Sequence, residues 1–169
     1  PEAGIGGQAF TLSLSSIWER GLRQMIDEIG GNSGWVSACD SDRTRMWDDS
    51  AGRNDPNRWL TVDVMAERKG VRWILDAKYK RAFGNESRED RFQMCAYAVA
   101  FDADVVSLVY PVAKEEPVRR ILLKAKVGQK LITVDSLNLP MAAGPAACKV
   151  ALTKLSMMST TPEISAPHS

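Results

Sequence analysis

The stretch Leu60–Tyr79, L-T-V-D-V-M-A-E-R-K-G-V-R-W-I-L-D-A-K-Y, constrains the fold more than any other part of the chain. Trp59–Met65 and Val71–Tyr79 are rich in β-branched and aromatic residues, as strands are, and Lys69-Gly70 between them is a turn signal. A two-residue loop at Lys69-Gly70 pairs Arg68 with Val71. Counting outward along both strands then sets Asp63 opposite Asp76. Cross-strand partners have Cβ atoms roughly 4.5–5.5 Å apart, and like charges placed so repel. Lys78 is two residues beyond Asp76 and projects from the same face.

Two carboxylates and an ammonium converging on buried strands call for a reason. A lone D-x-K is usually a solvated ion pair of little energetic weight. A second Asp at the matching register makes that explanation harder to sustain. The alternative is a divalent cation held by Asp63 and Asp76, with help from the Ala77 carbonyl; Mg²⁺ takes a few carboxylates and keeps several waters. Lys78 then either orients or activates an attacking water, or stabilises the charge that develops on phosphorus. The chemistry is hydrolysis of a phosphodiester.

Composition narrows the classes. The 169 residues suit one domain, and 44% hydrophobic and 25% charged residues are ordinary for a globular chain. A net charge of +1 gives no independent support for a nucleic-acid partner. Cys39, Cys95 and Cys148 are widely spaced, odd in number and without C-x-x-C, which fits a reducing, cytoplasmic setting and argues against a zinc site or a disulfide framework. The one histidine, His168, stands next to the C-terminus, which nearly removes histidine-based catalysis. No apolar run is long enough for a membrane span. The chain begins with Pro1, as a fragment of a longer protein would.

Along the chain, residues 1–11 form an entry or linker segment, 12–158 one domain, and 159–169 a polar tail. Leu12–Ile29 is expected to be a helix capped by Ser15 or Ser16, stopped by Gly30-Gly31, with Glu19 as a favourable charge in its first turn. Trp35–Cys39 suits a short strand and Asp40–Asn57 a loop, where Arg43, Arg45, Arg53 and Trp47 are available to nucleic acid or simply solvated. Arg81–Ser87 is a polar connection. Ser87 and Asp90 form an S-x-x-D capping signature ahead of a helix to about Phe101. On it Gln93 and Tyr97 stand at i and i+4 and share a face; Gln93 suits positioning a water or phosphate, and Tyr97 suits packing with its hydroxyl at the rim. Asp104–Tyr110, Val118–Ala125 and Leu131–Val134 have strand character, with a turn at Gly128, and Ala142–Met158 suits a terminal helix with Gly144-Pro145 at its start. The order implies an α/β fold, a mixed central sheet flanked by helices.

Asp63…Asp76-Ala77-Lys78 resembles the D-x(n)-(D/E)-x-K signature of the PD-(D/E)xK nuclease superfamily, and the strand–hairpin–helix order resembles its restriction-endonuclease-like core. Arg91–Ala98, R-F-Q-M-C-A-Y-A, is similar to the Q-x-x-x-Y motif of several branches. W-I-L-D-A-K-Y-K, Q-M-C-A-Y-A and S-L-V-Y-P (Ser107–Pro111) together resemble the McrC nuclease subunits of methylcytosine-directed McrBC restriction systems. I-W-E-R (Ile17–Arg20) resembles that family's first-helix motif and brings Glu19 near the metal. The resemblance spans about Ile17 to Pro111. It implies a Mg²⁺-dependent (or Mn²⁺-dependent) DNA endonuclease with Asp63 and Asp76 as metal ligands, Lys78 as the catalytic lysine, and Glu19 and Gln93 in support. It also implies an AAA+ partner that hydrolyses nucleotide and recognises modified DNA, methylated cytosine in particular. Val62 stands where the family usually has proline, and no region of the kind that contacts the AAA+ partner is apparent. No Walker-type phosphate loop occurs, so nucleotide hydrolysis would fall to another chain.

Other readings stand beside this one: a domain of the same fold that binds nucleic acid without cutting it, a repair or junction-resolving nuclease, or an unrelated α/β domain. Two copies, as a homodimer or larger assembly, would be needed for a double-strand break at one cut per site.

Overall fold

The computed structural model describes residues 13–37, 43–45, 59–79, 86–112, 120–128 and 130–158. Residues 1–12 and 159–169, and with them the entry segment, the tail and His168, lie outside the described residues, as do Cys39, Trp47 and Arg53.

Helix α1 (Leu14–Ser33) opens at Ser13, whose hydroxyl accepts the Ser16 N–H at 3.4 Å. Ser13, rather than Ser15 or Ser16, is therefore the cap. Trp18, Leu22, Met25, Ile26 and Ile29 recur at helical spacing and are all buried. The helix runs through Gly30-Gly31 and ends at Gly34, which adopts φ 75° and donates its N–H to Gly30 O. Gly30 has a different task from the expected stop. A Cβ there would stand 2.3 Å from the Trp35 backbone oxygen, so only glycine lets the outgoing chain pass this close. Gly31 faces open space. Opposite outcomes are expected in urea unfolding. Gly30→Ala should destabilise by about 2 kcal/mol through overpacking against backbone, whereas Gly31→Ala should stabilise by about 0.5 kcal/mol through helix propensity.

Strands β1 (Val36–Ser37) and β2 (Arg43–Arg45) follow, then β3 (Trp59–Thr61), β4 (Val64–Arg68) and β5 (Val71–Ala77). The expected single strand over Trp59–Met65 is thus two, because the chain bends at Val62-Asp63 and β3 pairs with β2 in a separate two-stranded ribbon. The region taken as a loop over Asp40–Asn57 contributes β2 to that ribbon. β4 and β5 form the expected hairpin, with Arg68 opposite Val71. Lys69 and Gly70 both have positive φ, 50° and 80°, as a type I′ turn requires.

Helix α2 (Arg88–Ala100) begins with a complete capping box: Ser87 Oγ accepts the Asp90 N–H, and Asp90 Oδ2 accepts the Ser87 N–H, both at 3.1 Å. It connects β5 to the parallel strand β6 (Val105–Pro111). β7 (Arg120–Val127) and β8 (Lys130–Leu139) form an antiparallel pair about Gly128, with β8 parallel to β6. The sheet order is β1-β4-β5-β6-β8-β7, a mixed sheet as expected. β8 runs five residues beyond the expected Val134 end. Its added polar residues Asp135, Ser136 and Asn138 are buried, and Asp135 Oδ2 accepts from Ser107 Oγ at 3.3 Å while Ser107 Oγ accepts from Trp73 Nε1 at 2.7 Å. Buried polar groups with partners sit in a strand at little cost. A 3-10 turn (Met141–Ala143) leads into α3 (Pro145–Met158).

Two cores result. On one face Trp18, Leu22, Ile26, Trp73, Leu75, Val109 and Leu152 join α1 and α3 to the sheet. On the other Ile74, Met94, Tyr97, Phe101, Val106 and Leu108 join α2 to it. The alternation along β5 turns Trp73 and Leu75 to the first core, and Ile74 and Asp76 to the second.

Candidate metal and catalytic site

Asp76 and Lys78 lie at the carboxyl end of β5, where open α/β sheets place their ligands. Lys78 N–H still donates to Val109 O at 2.9 Å, so its backbone is anchored to β6 although it lies just past the strand. The side chains of Asp76 and Lys78 are 5% and 17% exposed, and their charged atoms are 2.6 Å apart. The solvated surface pair that a lone D-x-K would suggest is therefore not what forms.

A closed ring of polar contacts surrounds this pair. Lys78 Nζ donates to Gln93 Oε1 at 2.7 Å. Gln93 Nε2 donates to the Tyr97 hydroxyl at 2.6 Å, and that hydroxyl donates to Asp76 Oδ1 at 3.2 Å. Asp76 Oδ2 closes the ring through its ion pair with Lys78 at 2.6 Å. The helical spacing of Gln93 and Tyr97 makes the ring possible. Tyr97 departs from expectation: it is buried, and its hydroxyl points into the site instead of out to the rim. Burial, followed by the Asp76 and Asp63 carboxylates, pushes its ionisation well above the ordinary tyrosine range. Tyr97 is thus a fixed hydrogen-bond donor and not a base.

Asp63 stands across from this ring. The β4–β5 ladder ends at Val64 opposite Leu75, and Asp63 lies at the bend just beyond it, near enough to Asp76 for the two carboxylates to interact. Its Oδ2 accepts the Ala77 N–H at 2.7 Å, and its backbone carbonyl accepts from the Arg23 guanidinium of α1. Strand alternation puts the Ala77 carbonyl on the same edge of β5 as that N–H. Burial pushes the Asp63 carboxyl up to about 6; the Ala77 N–H opposes this, Asp76 and Glu19 add to it, and Lys78 opposes it.

Glu19 is the sixth residue of α1, beyond the first turn, so it is not the dipole charge expected of it. It is near enough to Asp63 to raise that carboxyl. Among the described residues no three acidic, histidine or cysteine side chains are arranged to hold a metal ion. The pair Asp63 and Asp76 nevertheless fits a hard dication that retains its waters. One of their oxygens, Asp76 Oδ2, is buried and faces the Lys78 ammonium at 2.6 Å, and burial raises the Asp63 carboxyl beside it.

One neighbour was not singled out from sequence as part of the site. Asp90 Oδ1 lies 3.6 Å from Lys78 Nζ. Its S-x-x-D signature was fully explained by the helix cap. The only further signal was that Asp90, Gln93 and Tyr97, at i, i+3 and i+7, fall on one helix face. In the ribbon, Arg43 pairs with Thr61, the residue just before Val62-Asp63, and Arg45 with Trp59.

Residues 7–111, well over half of the chain, match the family described as McrBC 5-methylcytosine restriction system component. The chain belongs to this family. No curated protein matches it. Among solved structures it resembles a chain of the refined half-complex from the tetradecameric assembly of Thermococcus gammatolerans McrB AAA+ hexamers with bound McrC, with a TM-score of 0.55 at 12% identity. The likeness covers 86% of this McrBC-family chain and 34% of that one, so the chain spans about a third of its length. At this identity the likeness concerns the fold, which is McrC-like. No described helix is long and apolar enough to cross a membrane.

Proposed function

We propose that this restriction-system component is its nuclease: a Mg²⁺-dependent or Mn²⁺-dependent endonuclease domain that hydrolyses phosphodiester bonds in DNA. The observation that carries this reading is the largely buried Asp76–Lys78–Gln93–Tyr97 ring with Asp63 beside it. A structural ion pair needs one carboxylate, whereas this arrangement keeps a second, costly one beside it. Asp63 and Asp76, with the Ala77 carbonyl, hold the cation, which when bound neutralises charge on the scissile phosphate and lowers the pKa of water. Tyr97 fixes one oxygen of Asp76, and the other, paired with Lys78, is the one a cation would share. Gln93 holds the Lys78 ammonium beside Asp76, where it offers protons and positive charge to the reacting phosphate. An AAA+ partner that hydrolyses nucleotide and selects methylated DNA completes this reading, in keeping with the complex that the similar solved structure records.

The test is cleavage of plasmid DNA, with and without methylated cytosine, in Mg²⁺ and in Mn²⁺, comparing the parent with Asp76→Asn. The reaction is run both alone and with an AAA+ subunit and GTP. Nicking by the parent and none by the variant is the expected outcome. Silence from the parent under all of these conditions would overturn the reading, and equal cleavage by both would remove Asp76 from the site.

A further inference from the structure

Lys78 is held on more than the two sides already described. Its ammonium has three N–H donors. Asp76 Oδ2 stands at 2.6 Å and Gln93 Oε1 at 2.7 Å. On a further side lies Asp90 Oδ1 at 3.6 Å, on a carboxylate whose side chain is 8% exposed. The other oxygen of the same carboxylate, Oδ2, accepts the Ser87 N–H at 3.1 Å in the capping box. Glu or Gln is the usual residue at this third helical position. Aspartate closes the box here with a shorter side chain, which keeps its second oxygen beside the lysine.

We propose that Asp90 is a positioning residue for Lys78: one oxygen closes the N-terminus of α2, the other holds the catalytic ammonium against Asp76 and Gln93. A lysine side chain has four rotatable bonds and about 2 kcal/mol of rotamer entropy to lose. Asp76 and Gln93 fix the ammonium from β5 and from the middle of α2. Asp90 adds a negative charge one helical turn nearer the start of α2, on a further side of the ammonium. The consequence for catalysis rests on the nuclease reading; the contact itself does not.

Two variants separate the roles. Asp90→Asn keeps an oxygen for the Ser87 N–H but loses the negative charge facing Lys78. Ser87→Ala loses the hydroxyl cap but keeps Asp90 facing Lys78. In single-turnover cleavage at saturating plasmid DNA, Asp90→Asn should slow the reaction about tenfold with unchanged DNA affinity, equivalent to about 1.4 kcal/mol. Ser87→Ala should cleave at the parent rate while unfolding at lower urea. The second measurement needs no cleavage. A double-mutant cycle of Asp90→Asn with Lys78→Met, read by urea unfolding of the full chain, should show coupling of about threefold or more in the folding constant. The cycle of Ser87→Ala with Lys78→Met should show none. Absence of coupling between Asp90 and Lys78 would overturn the proposal, as would an Asp90→Asn variant that cleaves at the parent rate. Coupling in a chain that cuts no DNA would sink the nuclease reading and leave the contact standing.

Discussion

Asp63→Asn is expected to abolish metal-dependent cleavage and, in the same protein, to raise stability. The Asp63 carboxyl is pushed up to about 6 from an ordinary value of 3.8, first by burial and then by Asp76 and Glu19. The folded chain therefore holds this proton more tightly than the unfolded chain does. Below about pH 4 the group is protonated in both states and has no effect. Between pH 4 and 6 the folded state keeps a proton that the unfolded state has released, so stability falls as the pH rises. Above pH 6 the full penalty applies, about 2 kcal/mol once partial exposure is allowed for. Asparagine removes the charge and keeps an oxygen for the Ala77 N–H. Urea unfolding at pH 8 in chelator should thus show Asp63→Asn more stable than the parent, with the gap closing by pH 4. Divalent cations should narrow the gap by stabilising only the parent. A variant less stable than the parent at pH 8 would show that Asp63 is a structural carboxylate and not a strained ligand.

This conflict between local stability and the site explains what was legible in the sequence. The hairpin could be read because two chemical facts agreed: Lys69-Gly70 tolerates two positive φ values, and its flanks suit strands. Counting register then brought Asp63 close to Asp76, although the ladder itself stops at Val64 opposite Leu75. Gln93 and Tyr97 followed from helical spacing, although the sense of the tyrosine hydroxyl did not. Its direction depends on the depth of Asp76, a tertiary quantity. Other features were hidden because a local explanation was already sufficient. Gly30-Gly31 reads as a helix stop, yet Gly30 is required by the close approach of Trp35, which no one-dimensional pattern contains. Asp90 reads as a cap, which it is, and its second oxygen becomes visible only when β5 lies beside α2. β8 looked short because Asp135, Ser136 and Asn138 are unusual in a buried strand, and the partner of Asp135, Ser107 on the neighbouring β6, is visible only once the sheet is assembled.

Lys78→Met carries the other large effect, and its sign changes with the cation. The ammonium sits 2.6 Å from Asp76 Oδ2 and faces Asp90 at 3.6 Å. In the absence of divalent cations Lys78 therefore supplies positive charge that these buried carboxylates require. Methionine keeps the length of the side chain and its packing but leaves the carboxylates facing one another. Removing one partner of a buried pair costs about 3–5 kcal/mol, and the chain should lose stability on that scale in chelator. Lys78 and a dication also draw on the same oxygen, Asp76 Oδ2. The variant should consequently bind Mn²⁺ at least as tightly as the parent, and Mg²⁺ or Mn²⁺ should raise its melting temperature more than the parent's. Cleavage should nevertheless fall by about 10²–10⁴-fold, the range for losing a positioned proton donor or acceptor. Thermal unfolding with and without the cation, set beside plasmid cleavage, separates these effects. A variant that is rescued in stability but not in cleavage assigns to Lys78 both a structural charge and a chemical role. One that cleaves at the parent rate would leave only the first.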